Sequence, residues 1–253
     1  MIYDLQKAGL WKRIAAGIFD AILLVTLAVG IAFLISTVIG YDTHSQFLDS
    51  AYAEYEAEYG IVFDIPADEY ESLSNEEKQN YDKAYEALIK DDDVIYAYNM
   101  VVNLSILIMT LSILIAYVVL EFVVPIMFGN GQTLGKKIFG IGLMRTDGVK
   151  LTNFQLFVRT VLGKYTIETM IPVYIFMMIF WNMLNVTGTV VIFAILLTEL
   201  IMILVTKTNS LLHDMLAVTV AVELNSQMIF ETPEAKIEYQ KKISAERAAR
   251  QTY

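Results

Sequence analysis

The chain alternates between long apolar runs and short polar segments. Ile14 to Gly40, Met100 to Phe128, Ile167 to Leu184 and Val186 to Thr206 each approach or exceed the roughly 20 residues that cross hydrocarbon as a helix. The pattern predicts an all-α polytopic membrane protein with four transmembrane helices. Only Asn185 and a turn at Val186, Thr187 and Gly188 separate the third from the fourth, so these two form a tight hairpin; a single bent or re-entrant segment is the alternative. The first run is too long, and too interrupted by Asp20, for a cleaved leader.

Between the runs the periodicity changes. In 41–93, Tyr52, Tyr55 and Tyr59, then Tyr81, Tyr85 and Leu88, recur at helical spacing. Gly60 is placed to end one helix, and Ser74 with Glu77 makes a capping box for the next. A helical hairpin with facing tyrosine stripes is expected, extending the first two membrane helices. After Phe128, residues 132–139 suit a short amphipathic helix with Lys136 and Lys137 toward lipid headgroups. Asp147-Gly148 between Ile141–Thr146 and Val149–Thr152 signals a β-hairpin, to which Ala217–Leu224 adds a third strand. Asn153 is positioned to cap a second interfacial helix, residues 1–12 to lie along the inner leaflet, and Thr232–Arg250 to form a charged helix with Pro233 in its first turn. The resulting division is 1–40, 41–93, 94–128, 129–166, 167–206, 207–231 and 232–253.

Charge orients this array. Of 18 Lys and Arg, only Lys78, Lys83 and Lys90 lie in 41–93, whereas that segment holds 16 of the 28 Asp and Glu, a local charge of −13. Basic residues stay inside, so both termini are expected in the cytoplasm and 41–93 outside, as an acidic ectodomain for mutual packing or for an extracellular partner. Cysteine is absent, which removes disulfides and thiol chemistry. No phosphate-binding loop, dinucleotide fingerprint, zinc-protease or nucleophile-elbow motif occurs. His44 and His213 fall on opposite sides of the membrane, and His213-Asp214 reads as a turn or cap rather than a catalytic pair. No enzyme, metal, cofactor or nucleic-acid partner is expected.

Chemistry is then left to charges within the hydrocarbon, which cost several kcal/mol unless paired, wet or snorkelling. Asp20, Glu121 and Glu199 qualify, each about 10 Å in from the inner boundary by helical rise. Arg13 lies two turns from Asp20 on the same face. Pro125 and Pro172 free the carbonyls of Glu121 and Glu168, to be met by water, a cation or neighbouring hydroxyls. Three acids at one depth bind a small monovalent cation or exchange protons; alternatively, they pair with basic residues and fix helix packing.

The pattern resembles the RDD family of bacterial membrane proteins, named for one arginine and two aspartates. Arg13 and Asp20 in GLWKRIAAGIFDAILL match its first motif, and the loop after the second span matches at Gly131, Gln132, Thr133, Gly135, Lys136 and Arg159. SLLHDMLAVTVAV matches the closing motif, with the second aspartate at Asp214 and a threonine at Thr219. Val218 stands where the family usually has glycine, and 41–93 is an addition to its core. The resemblance implies an inner-membrane protein associated with transport, in some members sodium–proton exchange. Two readings follow: movement or binding of a cation or proton through Asp20, Glu121 and Glu199 with Arg13 as counter-charge, in a homo-oligomer if four helices enclose too little room; or a non-transporting scaffold that engages a partner.

Overall fold

The computed structural model describes residues 5–180, 186–206 and 208–251, and divides into two compact units, Val29–Ser112 and the remainder. The boundaries fall inside two long helices, α1 (Leu10–Ile39) and α5 (Asp92–Tyr117).

In the Val29–Ser112 unit, Gly40 takes a left-handed φ of 77° before α2 (Tyr41–Tyr59), and Gly60 (φ 66°) ends that helix as expected. A short α3 (Ala67–Ser72) leads to α4 (Asn75–Leu88), whose N-terminus carries the Ser74–Glu77 capping box. Leu48, Ala51, Leu88, Val94 and Ala97 form the buried centre. The two stripes share that centre, Tyr52 and Tyr55 packing against the cluster that includes Leu88. Phe63 lies between them, edge-on to Tyr52 at 5.6 Å and to Tyr81 at 5.7 Å, while Tyr85 is half exposed. Tyr55 donates to Asp91 (3.0 Å), and the Val94 amide, with this hydroxyl, holds the Asp91 carboxyl below its ordinary range.

The other unit begins with the N-terminal half of α1 and resumes at the end of α5. A π-helical turn, Val118–Val123, then joins α5 to α6 (Val124–Phe128), and α7 (Leu134–Ile138) follows. Strand β1 (Ile141–Arg145), α8 (Asn153–Phe157), a second π-helical stretch (Val158–Met170) and α9 (Ile171–Phe180) come next. The chain continues through α10 (Val186–Val205), α11 (Leu212–Leu216), β2 (Thr219–Glu223) and α12 (Pro233–Gln251).

Three helical stretches among the described residues are long and apolar enough to cross a bilayer: Leu10–Ile39, Asp92–Phe128 and Val186–Val205. Large apolar side chains such as Ile18, Phe33, Phe193 and Leu204 point outward from them, which suits lipid rather than water. The third expected span does not start afresh at Ile167. Residues 153–180 form one continuous helical path, 171–180 being its apolar end. Val186, Thr187 and Gly188 are the first residues of α10 rather than a turn; Asn185 lies outside the described residues.

The sheet also differs from expectation. Asp147-Gly148 does turn, with Gly148 at φ 86°, but Val149–Thr152 is not the partner of β1. Strand β1 pairs antiparallel with β2, from Ile141↔Glu223 to Arg145↔Thr219, and Leu143, Met144, Val220 and Val222 are fully buried around that ladder. Residues 6–8, expected on the leaflet, extend the other edge of β2: Ala8 donates to Ala221 (3.0 Å) and Glu223 donates to Gln6 (2.8 Å). The β-branched run at 219–223 gains more from two neighbours than from one, because an edge strand leaves its amides unpaired. The cap of α8 is Thr152, boxed with Gln155, and not Asn153.

Candidate functional site

Asp20 is captured by the loop after α6. Its Oδ1 accepts from the Gly135 amide at 2.7 Å and its Oδ2 from the Thr133 hydroxyl at 2.5 Å, with the Lys136 ammonium 3.9 Å away. Thr133 caps α7, so the carboxylate sits where that helix presents unsatisfied amides and a positive dipole. Gly135 makes the approach feasible: a Cβ there would run into the Ala16 carbonyl and the Asp20 carboxylate. Lys136 therefore turns inward, its side chain 11% exposed, instead of toward headgroups. Burial, with Lys164 nearby, pushes its ammonium down to about 8.

Asp214 is the most enclosed acid, with no exposed surface. Arg159 reaches its Oδ1 through Nε (3.0 Å) and Nη2 (2.9 Å), and Arg13 reaches Oδ2 through Nη2 (3.2 Å). The Thr219 hydroxyl adds a bond at 3.3 Å. Burial alone would raise this carboxyl, but Arg159, His213 and Arg13 outweigh it and hold Asp214 well below the usual carboxylate range. Arg13 also donates to the Asn209 carbonyl (2.5 Å), tying α1 to the connection after α10. The partner of Arg13 is thus Asp214, and Asp20 is engaged elsewhere.

The π-helical stretch supplies the remaining side chains. Residues 159 and 168 would lie about 2.5 turns apart in an α-helix, on opposite faces. With i→i+5 bonding they share one face, and both touch the His213 ring. Glu168 accepts from His213 Nδ1 at 2.7 and 2.8 Å and from its backbone amide at 2.8 Å, while Arg159 Nη2 stands 2.8 Å from Nε2. An arginine can only donate, so Nε2 is the acceptor and Nδ1 bears the proton. Burial pushes the His213 ring down, consistent with this neutral tautomer. Gly163 leaves room for the ring, since a Cβ at 163 would lie 2.5 Å from His213 Cβ. Glu199 accepts from the Leu212 amide (3.3 Å), and its carboxyl lies beside that of Glu168.

Glu121 is buried and ion-paired with Lys164 at 2.7 Å. The carbonyl that Pro125 frees at Glu121 accepts from the Thr160 hydroxyl at 2.8 Å, so a neighbouring hydroxyl repairs that gap. Beside these groups lies a cavity of about 400 Å³, whose wall includes Arg13, Lys136, Arg159, Lys164, Glu168 and His213.

This geometry joins the N-terminal arginine, an aspartate of the first helix and an aspartate just before β2. The RDD family model matches residues 7–218. The chain belongs to the RDD family. No curated protein and no solved structure matches it. It is a multi-pass membrane protein by its apolar helices and its family.

In this RDD protein the three motif regions lock into one another. Gln132 donates to the Ile141 carbonyl (2.8 Å), and Gly131, at φ 63°, passes close to Leu143. Val218 adopts φ 55°, a left-handed conformation that a β-branched residue resists, which explains glycine as the usual family residue there. Of the three intramembrane acids expected from sequence, Asp20 and Glu121 are each met by a protein cation or donors, and only Glu199 adjoins another acid. Glu168, Lys164 and Thr160 join the site without having been expected there, and His213, expected as part of a turn or cap, places its ring between Glu168 and Arg159. For Glu168 the sequence carries a signal, a carboxylate at the mouth of an apolar run.

Proposed function

We propose that this RDD protein binds and moves protons across the bacterial inner membrane, at a site made by Glu199, Glu168 and His213. The carrying observation is the placement of Glu168, on the cavity wall, between the His213 ring and Glu199. Adjacent carboxyls titrate as a pair, and a neutral histidine bonded to one of them gives the pair a third exchange partner. His213 cannot gain a proton at Nε2 while Arg159 donates there, so protonation of the ring requires Arg159 to turn away toward Asp214. Proton uptake is thereby tied to movement of an arginine that also grips the connection to β2. Asp20 and Glu121 act in this reading as fixed counter-charges to Lys136 and Lys164, and a sodium ion or other monovalent cation competes at the Glu168–Glu199 pair.

The arrangement in the membrane follows the charge pattern: four spans, with residues 167–184 as the third, both termini in the cytoplasm, 41–93 outside, and a homo-oligomer completing the pathway. The role is transport rather than catalysis. A second reading, a non-transporting scaffold, draws on the saturation of Asp20 and Asp214 by protein donors. Reconstitution with a pH-sensitive dye separates the two. Sodium or potassium pulses should give proton flux that Glu168→Gln and Glu199→Gln each abolish; absence of flux, or flux indifferent to both variants, favours the scaffold.

A further inference from the structure

The cavity is asymmetric in charge. Four cations reach its wall, Arg13, Lys136, Arg159 and Lys164, against one acid, Glu168. The carboxylates that pair with those cations, Asp214, Asp20 and Glu121, do not line it. The cations thus reach the wall without their counter-ions. A guanidinium carries five N–H groups and an ammonium three. Asp214 and His213 take those on Nε and Nη2 of Arg159, and among the described residues nothing accepts from its Nη1. The rest of the wall is mostly apolar, with Ile14 of α1 and Ile203 of α10 contributing.

We propose that this cavity binds a small amphiphilic anion, its carboxylate or phosphate head on Arg159 and Lys164 and its apolar body against α1 and α10. Buried cations whose partners do not line the wall gain from an anion in the cavity, because the local dielectric is low and the ligand excludes water. A bare inorganic ion would leave the apolar wall unfilled. The volume of about 400 Å³ falls within the roughly 300–1,000 Å³ of ligand pockets. The chemistry fits two sources, a free organic acid or an anionic phospholipid headgroup. The inference does not depend on proton movement, since binding is read without a gradient.

The test uses the full-length protein purified in uncharged detergent. Benzoate and 4-phenylbutyrate serve as probes, with benzamide and benzylammonium as neutral and cationic counterparts. Near a tenfold excess over its dissociation constant, a carboxylate probe should raise the unfolding midpoint by about 3 °C, while the counterparts leave it in place. The double variant Glu121→Gln/Lys164→Gln removes one lining cation together with its counter-ion and so leaves no buried charge unpaired; it should weaken probe binding at least tenfold. Glu121→Gln alone should bind as tightly as wild type or more so. Displacement of radiolabelled probe by short-chain phosphatidylglycerol, but not by phosphatidylcholine, assigns the lipid source; failure of both lipids to displace it assigns the free acid. Equal stabilisation by benzamide, no response to either carboxylate, or undiminished binding by a folded double variant overturns the proposal.

Discussion

Arg13 and Asp214, 201 positions apart, meet in an ion pair of 3.2 Å whose acid is shared with Arg159. One carboxylate thus ties the start of α1, the π-helical stretch and the segment before β2. Its removal leaves two arginines facing each other without a counter-charge. Asp214→Asn should cost about 3–5 kcal/mol, the penalty of breaking a buried pair. Loss of monodisperse protein in size-exclusion chromatography, or a lowered midpoint in thermal unfolding, checks this. A neutral outcome would mean that the arginines find other acceptors.

Gly135→Ala tests the capture of Asp20 by α7. The added methyl group collides with the Ala16 carbonyl and the carboxylate, so the loop must back away and lose the 2.7 Å amide bond. The expected cost is about 2 kcal/mol or more, from a buried acceptor losing its donor. Gly9→Ala serves as the comparison, because nothing lies within 4 Å of a Cβ there.

Val218 offers a gain instead. Left-handed backbone costs a residue with a Cβ roughly 1–2 kcal/mol, partly offset by the entropy that glycine loses on folding. Val218→Gly should therefore stabilise by about 1 kcal/mol, read as a raised unfolding midpoint, with the Thr146 amide still donating to the carbonyl at 218.

Several elements were legible in the sequence because local chemistry decides them. Gly60 and Ser74–Glu77 bound helices as their types dictate, and three apolar stretches are long enough to span. The partners of Asp20 were out of reach, since Thr133 lies 113 positions away and nothing local points to it. The π-helical winding of 158–170 was also hidden. Read with the α period, Arg159 and Glu168 face apart, and the segment looks like an interfacial helix, a gap and a new span. The choice of β2 over Val149–Thr152 as the partner of β1 is likewise a tertiary preference: both candidates have strand-like residues, and burial between two neighbours selects one.

Stability should depend on pH through His213 and Asp214. His213 has its folded value lowered from 6.5, so its contribution is complete above about pH 6.5 and is lost as pH falls toward the folded value. Asp214, lowered from 3.8, contributes above that value and loses its share only at stronger acidity. The His213 share, read as the unfolding midpoint of the wild type minus that of His213→Gln, should drop as pH is lowered below about 6.5. His213→Gln, whose amide can donate to Glu168 and accept from Arg159, lacks that decline; a difference unchanged with pH would assign it to another group.

The proton site itself is tested most directly by infrared difference spectroscopy of the purified protein during a pH titration. The account predicts a protonated-carboxyl band that grows as pH falls and is lost in both Glu168→Gln and Glu199→Gln, because the two acids hold their proton as a pair. A titrating band that persists in either variant would contradict it.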